Sequence, residues 1–308
     1  MNSNVATSIR QRLLNLSKAR GEDFQRILDR FVLERLLYRL SVSPYRDHFL
    51  LKGAALYHLR EEFTPRPTRD LDLMAWGDPS IASLEEIFRE ICEVACPEDG
   101  LVFESASVVG EQIREDNPYH GVRLMIRGTL GVAKVTLQVD VGFGDAVSPA
   151  PEESNFPSLL ALPEPRIRAY RWETAIAEKF QAMVYLGLEN SRMKDFFDLW
   201  HLSQTHSFQA GVLRETMRAT FERRMTPWPS EAPIALTERF SGDPQKQAQW
   251  KGFLRKSGLS IEPELEEVVK AIHAFLWPLM RSNEIPADWQ WSQGWLPSSR
   301  DAQENLVP

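Results

Sequence analysis

Residues 67–78, PTRDLDLMAWGD, place two carboxylates one residue apart inside an apolar run. If this segment is a β-strand, its side chains alternate between two faces, so Asp70 and Asp72 share one face while Leu71 and Leu73 share the other. The carboxylates then lie roughly 6–7 Å apart. At an effective dielectric of ~20 they repel each other by about 2–3 kcal/mol. A divalent cation is the simplest group that would offset this cost, so the stretch predicts a strand with a metal-binding face.

Composition indicates an ordinary globular protein of two lobes: the chain has 308 residues, 43% apolar and 26% charged. We expect a cytoplasmic protein, because no stretch approaches the ~20 apolar residues of a membrane span and the N-terminal residues lack the apolar segment of a secretory signal. The two cysteines, Cys92 and Cys96, have no accompanying histidine or second cysteine pair, which favours two buried apolar side chains over a metal site.

The charge pattern disfavours one class of partner and leaves another open. A net charge of −7 argues against general coating of nucleic acid. Between Arg10 and Leu40, however, eight basic residues accompany four acidic ones. This cluster is either a solvated helix face or a local patch that contacts a partner.

Hydrophobic periodicity divides the chain into a strand-containing part and a helical part. Strand patterns occupy 49–51, 70–72 and 101–145, with breaks at 115–121 and 126–131, and helical patterns occupy 21–40, 83–96, 172–187, 192–203, 210–224, 246–256 and 262–280. The Pro- and Ser-rich residues 146–166 read as a linker between lobes, and the tail after Asn283 reads as irregular. We therefore predict two domains, residues 1–165 and 166–308.

A third carboxylate, Asp140, lies in the strand pattern AKVTLQVDVGFGD, residues 133–145. Valine and leucine take one face of this strand, and Asp140 lies on the other. The chain has no GxxxxGK[ST] motif, and Val147 replaces the third glycine of a dinucleotide fingerprint. What remains is a strand–Gly–helix turn at Gly53, a DxD strand and a later aspartate. This set suits phosphoryl transfer, since cations held by three carboxylates can orient a triphosphate, and a glycine lets a phosphate approach a helix N-terminus.

Five segments resemble, in order, the AbiEii-type toxins of the DNA polymerase β-like nucleotidyltransferase superfamily: LLKGAALYHL, RPTRDLDL, LQVDVGFGD, ETAIAEKFQAMVYLG and NSRMKDFFDLWHL. The resemblance covers roughly residues 25–280 and continues in RFSGDPQKQAQWKGFL and LEEVVKAIHAFLWPLM. It implies an α/β (α+β) fold, with a polymerase β-like nucleotidyltransferase lobe on a mixed β-sheet and a C-terminal α-helical lobe.

The resemblance also implies site residues. In the first lobe, Asp70, Asp72 and Asp140 would be catalytic metal ligands, and Lys52, Gly53, Ala54, Arg66 and Thr68 would bind the nucleotide. Ala54 departs from the family, which usually has a second glycine there, but alanine keeps the backbone N–H. In the second lobe, Lys179 would contact the phosphates, Asp195 or Asp198 would position Lys179 or the acceptor, and Arg192 and Lys194 would bind the nucleotide.

Geometry alone says less about the second lobe. Asp195 and Asp198 share a helix face, and the short turn at 188–191 should fold the two helices antiparallel and bring Lys179 near both carboxylates. Without the resemblance, Arg192, Lys194, Asp195 and Asp198 would form a solvated salt-bridge face.

The activity implied is transfer of NMP from an NTP to an acceptor hydroxyl with release of pyrophosphate, dependent on Mg²⁺ with two ions. The resemblance further implies a growth-inhibiting toxin with a cognate antitoxin, a role in phage defence and the tRNA 3′ end as acceptor. A protein hydroxyl is the alternative acceptor, and a catalytically silent nucleotide-binding regulator is the alternative function. We expect no membrane and no DNA partner.

Overall fold

The structure, a computed structural model, describes residues 3–61, 66–113, 121–259, 261–281 and 287–296. The chain forms two compact units, Met1–Asp145 with Pro151–Tyr170, and Ala146–Ala150 with Arg171–Pro308. Along the chain, the second unit takes residues 146–150 and then begins again at Arg171, whereas the predicted boundary follows residue 165. Within the described residues, no helix is both long and apolar enough to cross a membrane.

The first unit is a mixed sheet with helices. Its helices are α1 (Ser3–Arg20), α2 (Phe24–Ser41), α3 (Ala55–Arg60) and α4 (Ile81–Glu93). Its strands are β1 (Phe49–Lys52), β2 (Asp70–Ala75), β3 (Leu101–Phe103), β4 (Val109–Ile113), β5 (Gly121–Leu130), β6 (Ala133–Phe143), β7 (Glu152–Asn155) and β8 (Arg166–Ala169). In the described part of this unit, the strand order is β3-β5-β6-β2-β1-β8-β7, with β4 on β5. The β2–β6 and β1–β8 pairs are parallel and the others antiparallel, which confirms the predicted mixed sheet.

Alternation along β6 builds the centre of this sheet. Val135, Leu137, Val139 and Val141 are buried, as the sequence pattern predicted. The apolar face of α2 packs against β6, and Asp23 caps α2 by accepting hydrogen bonds from the backbone N–H groups of the first turn. The polar face of β6 is thereby left for Asp140.

The structure differs from the sequence-based expectations at three places in this unit. The predicted break at 126–131 is confined to its last residue, because β5 continues to Leu130 and the turn to β6 begins at Gly131. The linker at 146–166 contains β7 and the start of β8, and its Phe156 is fully buried. Two of the eight basic residues of the N-terminal cluster, Arg35 and Arg39, are buried in ion pairs with Glu34 and Asp99. The other predicted break, at 115–121, lies outside the described residues except for Gly121.

The second unit is helical, as predicted. Its helices are α5 (Trp172–Leu186), α6 (Met193–Thr205), α7 (Ala210–Arg223), α8 (Glu238–Ser241), α9 (Pro244–Ser257) and α10 (Leu265–Arg281), and its short strands are β9 (Phe208–Gln209), β10 (Asp288–Gln290) and β11 (Gly294–Trp295). The tail is therefore not irregular throughout, since β10 pairs with β9 and β11. The indole of Trp289 anchors it by donating to the Ser203 carbonyl at 2.8 Å. Residues 282–286 and 297–308 of the tail lie outside the described residues.

Candidate active site

Four charged residues lie opposite one another across the first unit's sheet. Lys52, Asp72, Asp140 and Arg123 are register partners on β1, β2, β6 and β5, which are adjacent strands in that order. We call these four residues the charged row. Register partners point to the same face of a sheet, and neighbouring strands lie about 4.8 Å apart. The two carboxylates are thus direct neighbours, with a cationic residue on each outer side.

The Asp72 carboxylate lies against the backbone of Gly53, directly after β1. A Cβ placed on Gly53 would come within 2.0 Å of Asp72 Oδ2, and Gly53 has φ of +67°. Both facts require glycine, which has no Cβ and adopts positive φ without strain. The structure therefore gives Gly53 a reason to be glycine that the sequence did not reveal. The approach of a phosphate at this turn stays a prediction.

Asp140 is held by a bidentate guanidinium. Arg123 Nε donates to Oδ1 and Nη2 donates to Oδ2, each at 2.9 Å. Gln138 Nε2 lies 3.2 Å from both oxygens. Hydrogen bonding to Asp140 raises the pKa of Arg123, and Asp70 raises it further by its charge. Arg123 consequently stays cationic beside the carboxylates of β2 and β6.

The remaining predicted residues of this unit lie on β1 or β2, or in the segments next to these strands. Asp70 lies two residues before Asp72 on the same face of β2, and Thr68 Oγ1 donates to the Asp70 carbonyl at 3.2 Å. Lys52 Nζ lies 3.5 Å from Asp145 Oδ2. The other two, Ala54 before α3 and Arg66 before β2, are buried.

The donor set suits a hard divalent cation, because Asp70, Asp72 and Asp140 supply only carboxylate oxygens. The β2–β6 register also brings two of them side by side. Yet among the residues that the structure describes, no group of three or more His, Cys, Asp or Glu side chains could hold a metal ion as placed. In this structure both oxygens of Asp140 accept hydrogen bonds from Arg123.

The second unit contains a buried ionic cluster on α5 and α6. Lys179 Nζ lies 2.9 Å from Asp195 Oδ1 and 2.8 Å from Asp198 Oδ2, so the predicted proximity is present. The two carboxylates are 1% and 0% exposed. Burial acts to raise the pKa of Asp195, but the charges of Lys179 and Arg192 outweigh it and lower that pKa overall. Asp195 is therefore ionised at neutral pH and fixes the position of the Lys179 ammonium.

The turn between α5 and α6 holds this cluster in place. Gly187 ends α5 with φ of +51°. Arg192 Nε donates to Asp195 Oδ2 at 2.6 Å, while its backbone N–H donates to Asn190 Oδ1 at 2.8 Å. Lys246, 4% exposed on α9, donates from Nζ to the Asn190 carbonyl at 3.1 Å. The predicted nucleotide-binding Arg192 thus has a structural partner, whereas Lys194 is exposed.

Sequence reasoning missed two of these residues. Arg123 was not singled out, although its strand had been recognised. Lys246 begins the predicted helical pattern 246–256 and lies in a segment that resembles the family's tail. A search for cations opposite each carboxylate would have found Arg123 once the β5–β6 register was known, whereas no local signal marks Lys246 as a partner of Asn190.

The comparison with protein-family models agrees with the resemblance. A family model described as "Nucleotidyl transferase AbiEii toxin, Type IV TA system" matches residues 35–275, more than half of the chain. Comparison with curated proteins found no match. The solved structure of MenT4, a nucleotidyltransferase toxin from Mycobacterium tuberculosis H37Rv, is 19% identical, covers 89% of this chain and 99% of its own, and has a TM-score of 0.49. JHP933 from Helicobacter pylori is 16% identical, with 81% of this chain and 89% of its own covered and a TM-score of 0.47.

Proposed function

Because the chain belongs to the AbiEii family of nucleotidyl transferase toxins of type IV toxin–antitoxin systems, we propose that it transfers NMP from an NTP to the 3′ end of tRNA. Membership makes the chain a nucleotidyltransferase toxin that uses an NTP and has an antitoxin partner. The proposal adds the acceptor, the metal and the residues. The observation that carries it is the charged row, which places Asp72 beside Asp140 on adjacent parallel strands.

We propose Asp70, Asp72 and Asp140 as the residues that hold Mg²⁺. A bound divalent cation would neutralise phosphate charge and lower the pKa of an attacking hydroxyl. The support is the shared face of Asp70 and Asp72, the register of Asp72 with Asp140 and the glycine that seats Asp72.

The other residues would orient the nucleotide. Lys52 at the end of β1 and the backbone of the Gly53–Ala54 turn are placed beside Asp72 and would contact phosphate oxygens. We propose the same role for Lys179, whose ammonium is held in one position by two buried carboxylates. In the transfer, the acceptor oxygen forms a bond to the α-phosphorus, the bond to the β-phosphate oxygen breaks, and pyrophosphate leaves with that electron pair. The acceptor proton passes to a carboxylate of this face or to solvent.

The tRNA acceptor is supported by the charge of α1. This helix has no acidic residue, and its four basic side chains, Arg10, Arg12, Lys18 and Arg20, are exposed on a chain of net charge −7. A local cationic helix on an acidic protein suits the phosphate backbone of RNA. Growth inhibition would follow because a tRNA with a modified 3′ end cannot be aminoacylated.

The test is transfer of label from each of the four α-³²P-labelled NTPs, with Mg²⁺ and total RNA, using the full chain. Label on tRNA in a denaturing gel is the expected result. Label on protein would replace tRNA by a protein hydroxyl, and NTP binding without any transfer would favour the silent regulator.

A pair of variants tests the metal assignment in the same assay. Asp72→Asn removes one charge without changing shape and should abolish transfer while the fold persists, because it also removes a like-charge repulsion. The matched control is Asp78→Asn, an exposed aspartate just after β2 that should transfer normally. Undiminished transfer by Asp72→Asn would refute the metal assignment.

A further inference from the structure

The hydrogen bonds around Asp140 leave little room for another ligand. A carboxylate offers about four lone-pair sites. Arg123 uses one on each oxygen at 2.9 Å, and Gln138 Nε2 lies 3.2 Å from both. A cation that is to bind Asp140 must therefore take a position at which a guanidinium or an amide proton now lies.

The pair is accessible enough for such an exchange. The Arg123 side chain is 34% exposed and that of Asp140 is 20% exposed. A hydrated cation can therefore reach Asp140 without opening the apolar core on the opposite face of β6. The pair also differs from the Lys179–Asp198 pair, in which the carboxylate is fully buried and would lose its ammonium partner in the interior if the two separated.

The charges favour competition between Arg123 and a divalent cation for Asp140, rather than binding of both at once. Asp70, Asp72 and Asp140 repel one another, and Arg123 is the guanidinium that interacts with both Asp140 and Asp70. It thereby supplies part of the neutralisation that a divalent cation would supply. A cation that binds next to Arg123 meets its positive charge as well as its hydrogen bonds.

We propose that Arg123 competes with the divalent cation for Asp140, so that the metal site is completed only when the guanidinium releases this carboxylate. This inference rests on the proposed function, because it takes Asp140 as a metal ligand. It assigns Arg123 as a positioning residue that sets the metal affinity of the protein before the nucleotide binds.

Binding of Mn²⁺ to the full chain without nucleotide, followed by electron paramagnetic resonance of the free ion, measures this directly. Arg123→Met keeps the apolar stem and removes the charge and the donors, and should lower the Mn²⁺ dissociation constant by about tenfold or more. Arg127→Met is the matched control, since Arg127 lies four residues later on the same face of β5, opposite Thr136. This control should bind Mn²⁺ as the wild type does.

Two more variants separate competition at Asp140 from a general change of charge. Arg123→Lys keeps the charge but cannot make the bidentate contact, and should also bind Mn²⁺ more tightly than the wild type, by less than Arg123→Met. In an Asp140→Asn background, Arg123→Met should increase the affinity for Mn²⁺ by less than half as much, on a logarithmic scale, as it does in the wild type. A gain of the same size there would overturn the proposal. So would a dissociation constant for both Arg123 variants equal to that of the wild type.

Mn²⁺ binding tests this inference and label transfer tests the proposed function, so failure of one can be distinguished from failure of the other. Mn²⁺ binding that depends on Asp72 but not on Arg123, in a protein that transfers label, overturns the inference and leaves the function standing. Mn²⁺ binding that tightens in Arg123→Met, in a protein that transfers no label, supports the inference and removes the function. A folded protein in which neither wild type nor Arg123→Met binds Mn²⁺ overturns the inference and the metal assignment together.

Discussion

Replacing Gly53 with alanine tests whether the turn after β1 is shaped by the Asp72 carboxylate. The substitution has two separable costs. The first is backbone strain, because Gly53 has φ of +67° and an L-residue loses about 1–2 kcal/mol in the left-handed region. About 0.4–1 kcal/mol of this is offset, since alanine also restricts the unfolded chain.

The second cost is a direct clash. The three atoms nearest to the added Cβ all belong to Asp72, the closest being Oδ2 at 2.0 Å. Non-bonded heavy atoms are normally about 3.5–4.0 Å apart, so this carboxylate must retreat by roughly 1–2 Å. Overpacking of this kind costs about 1–3 kcal/mol, and a misplacement of about 1 Å at a reacting centre can cost ~100-fold in rate.

The chain offers a control for the strain alone. Gly21 has φ of +64° and nothing within 4 Å of its added Cβ. Urea unfolding should therefore show Gly53→Ala to be less stable than Gly21→Ala by about 1–3 kcal/mol, and only Gly53→Ala should lose transfer. In an Asp72→Gly background, where all three clashing atoms are gone, the stability cost of Gly53→Ala should fall to that of Gly21→Ala. Equal stabilities of the two single variants together with equal transfer rates would refute the contact.

Three further predictions concern buried polar groups. Lys179→Met should lower the free energy of unfolding by about 3–5 kcal/mol, because it removes the ammonium from the buried Asp198 carboxylate and one of the two cations that contact Asp195. The charge of Lys179 helps to lower the pKa of Asp195, so this loss of stability should shrink as the pH is lowered and Asp195 protonates. The exposed Lys194→Met should change the free energy of unfolding by less than about 0.5 kcal/mol in the same urea titration. Burial lowers the pKa of His58 to about 3, so this side chain stays neutral in the folded state while it takes up a proton below pH ~6.5 in the unfolded state. The free energy of unfolding should therefore decrease as the pH is lowered below ~6.5, by up to about 1.4 kcal/mol per pH unit. His58→Leu should flatten this slope between pH 6.5 and 5, whereas the exposed His48→Leu should keep it. Lys246→Met leaves a buried carbonyl without its ammonium donor and should cost about 1–3 kcal/mol; an unchanged melting temperature would show that this hydrogen bond does not hold the α5–α6 turn.

Local patterns were sufficient for the elements that carry the candidate site. Two-residue alternation identified β2 and β6 and the faces of Asp72 and Asp140, because a half-buried strand has to alternate. Helical spacing and a short turn similarly predicted that Lys179 would meet Asp195. In each case the information lies within a few residues of the side chain concerned.

The errors arose where pairing depends on distant parts of the chain. Residues 146–166 are rich in proline and serine, which locally favours a linker, yet Ser158 Oγ and the Leu159 N–H donate to the buried Glu34, each at 2.8 Å. Trp289 likewise fixes the tail through a carbonyl 86 residues earlier. Hydrogen bonds of this range leave no periodic trace in the sequence.

The β5–β6 hairpin contains a register signal that the sequence-based prediction discarded. Gly131, with φ of +61°, begins a two-residue turn between Leu130 and Ala133, and a glycine at the first central position is typical of the type II′ hairpin turn. Once that turn is located, Arg123 must lie opposite Asp140, whereas a slip of one residue would turn it to the other face of the sheet. Treating 126–131 as a break removed this register, and with it the cation that offsets part of the repulsion between the carboxylates. A guanidinium in register offsets the same electrostatic repulsion that a metal ion would offset. A pair of like charges on a strand therefore indicates a metal only if the opposing positions on the neighbouring strands contain no arginine or lysine.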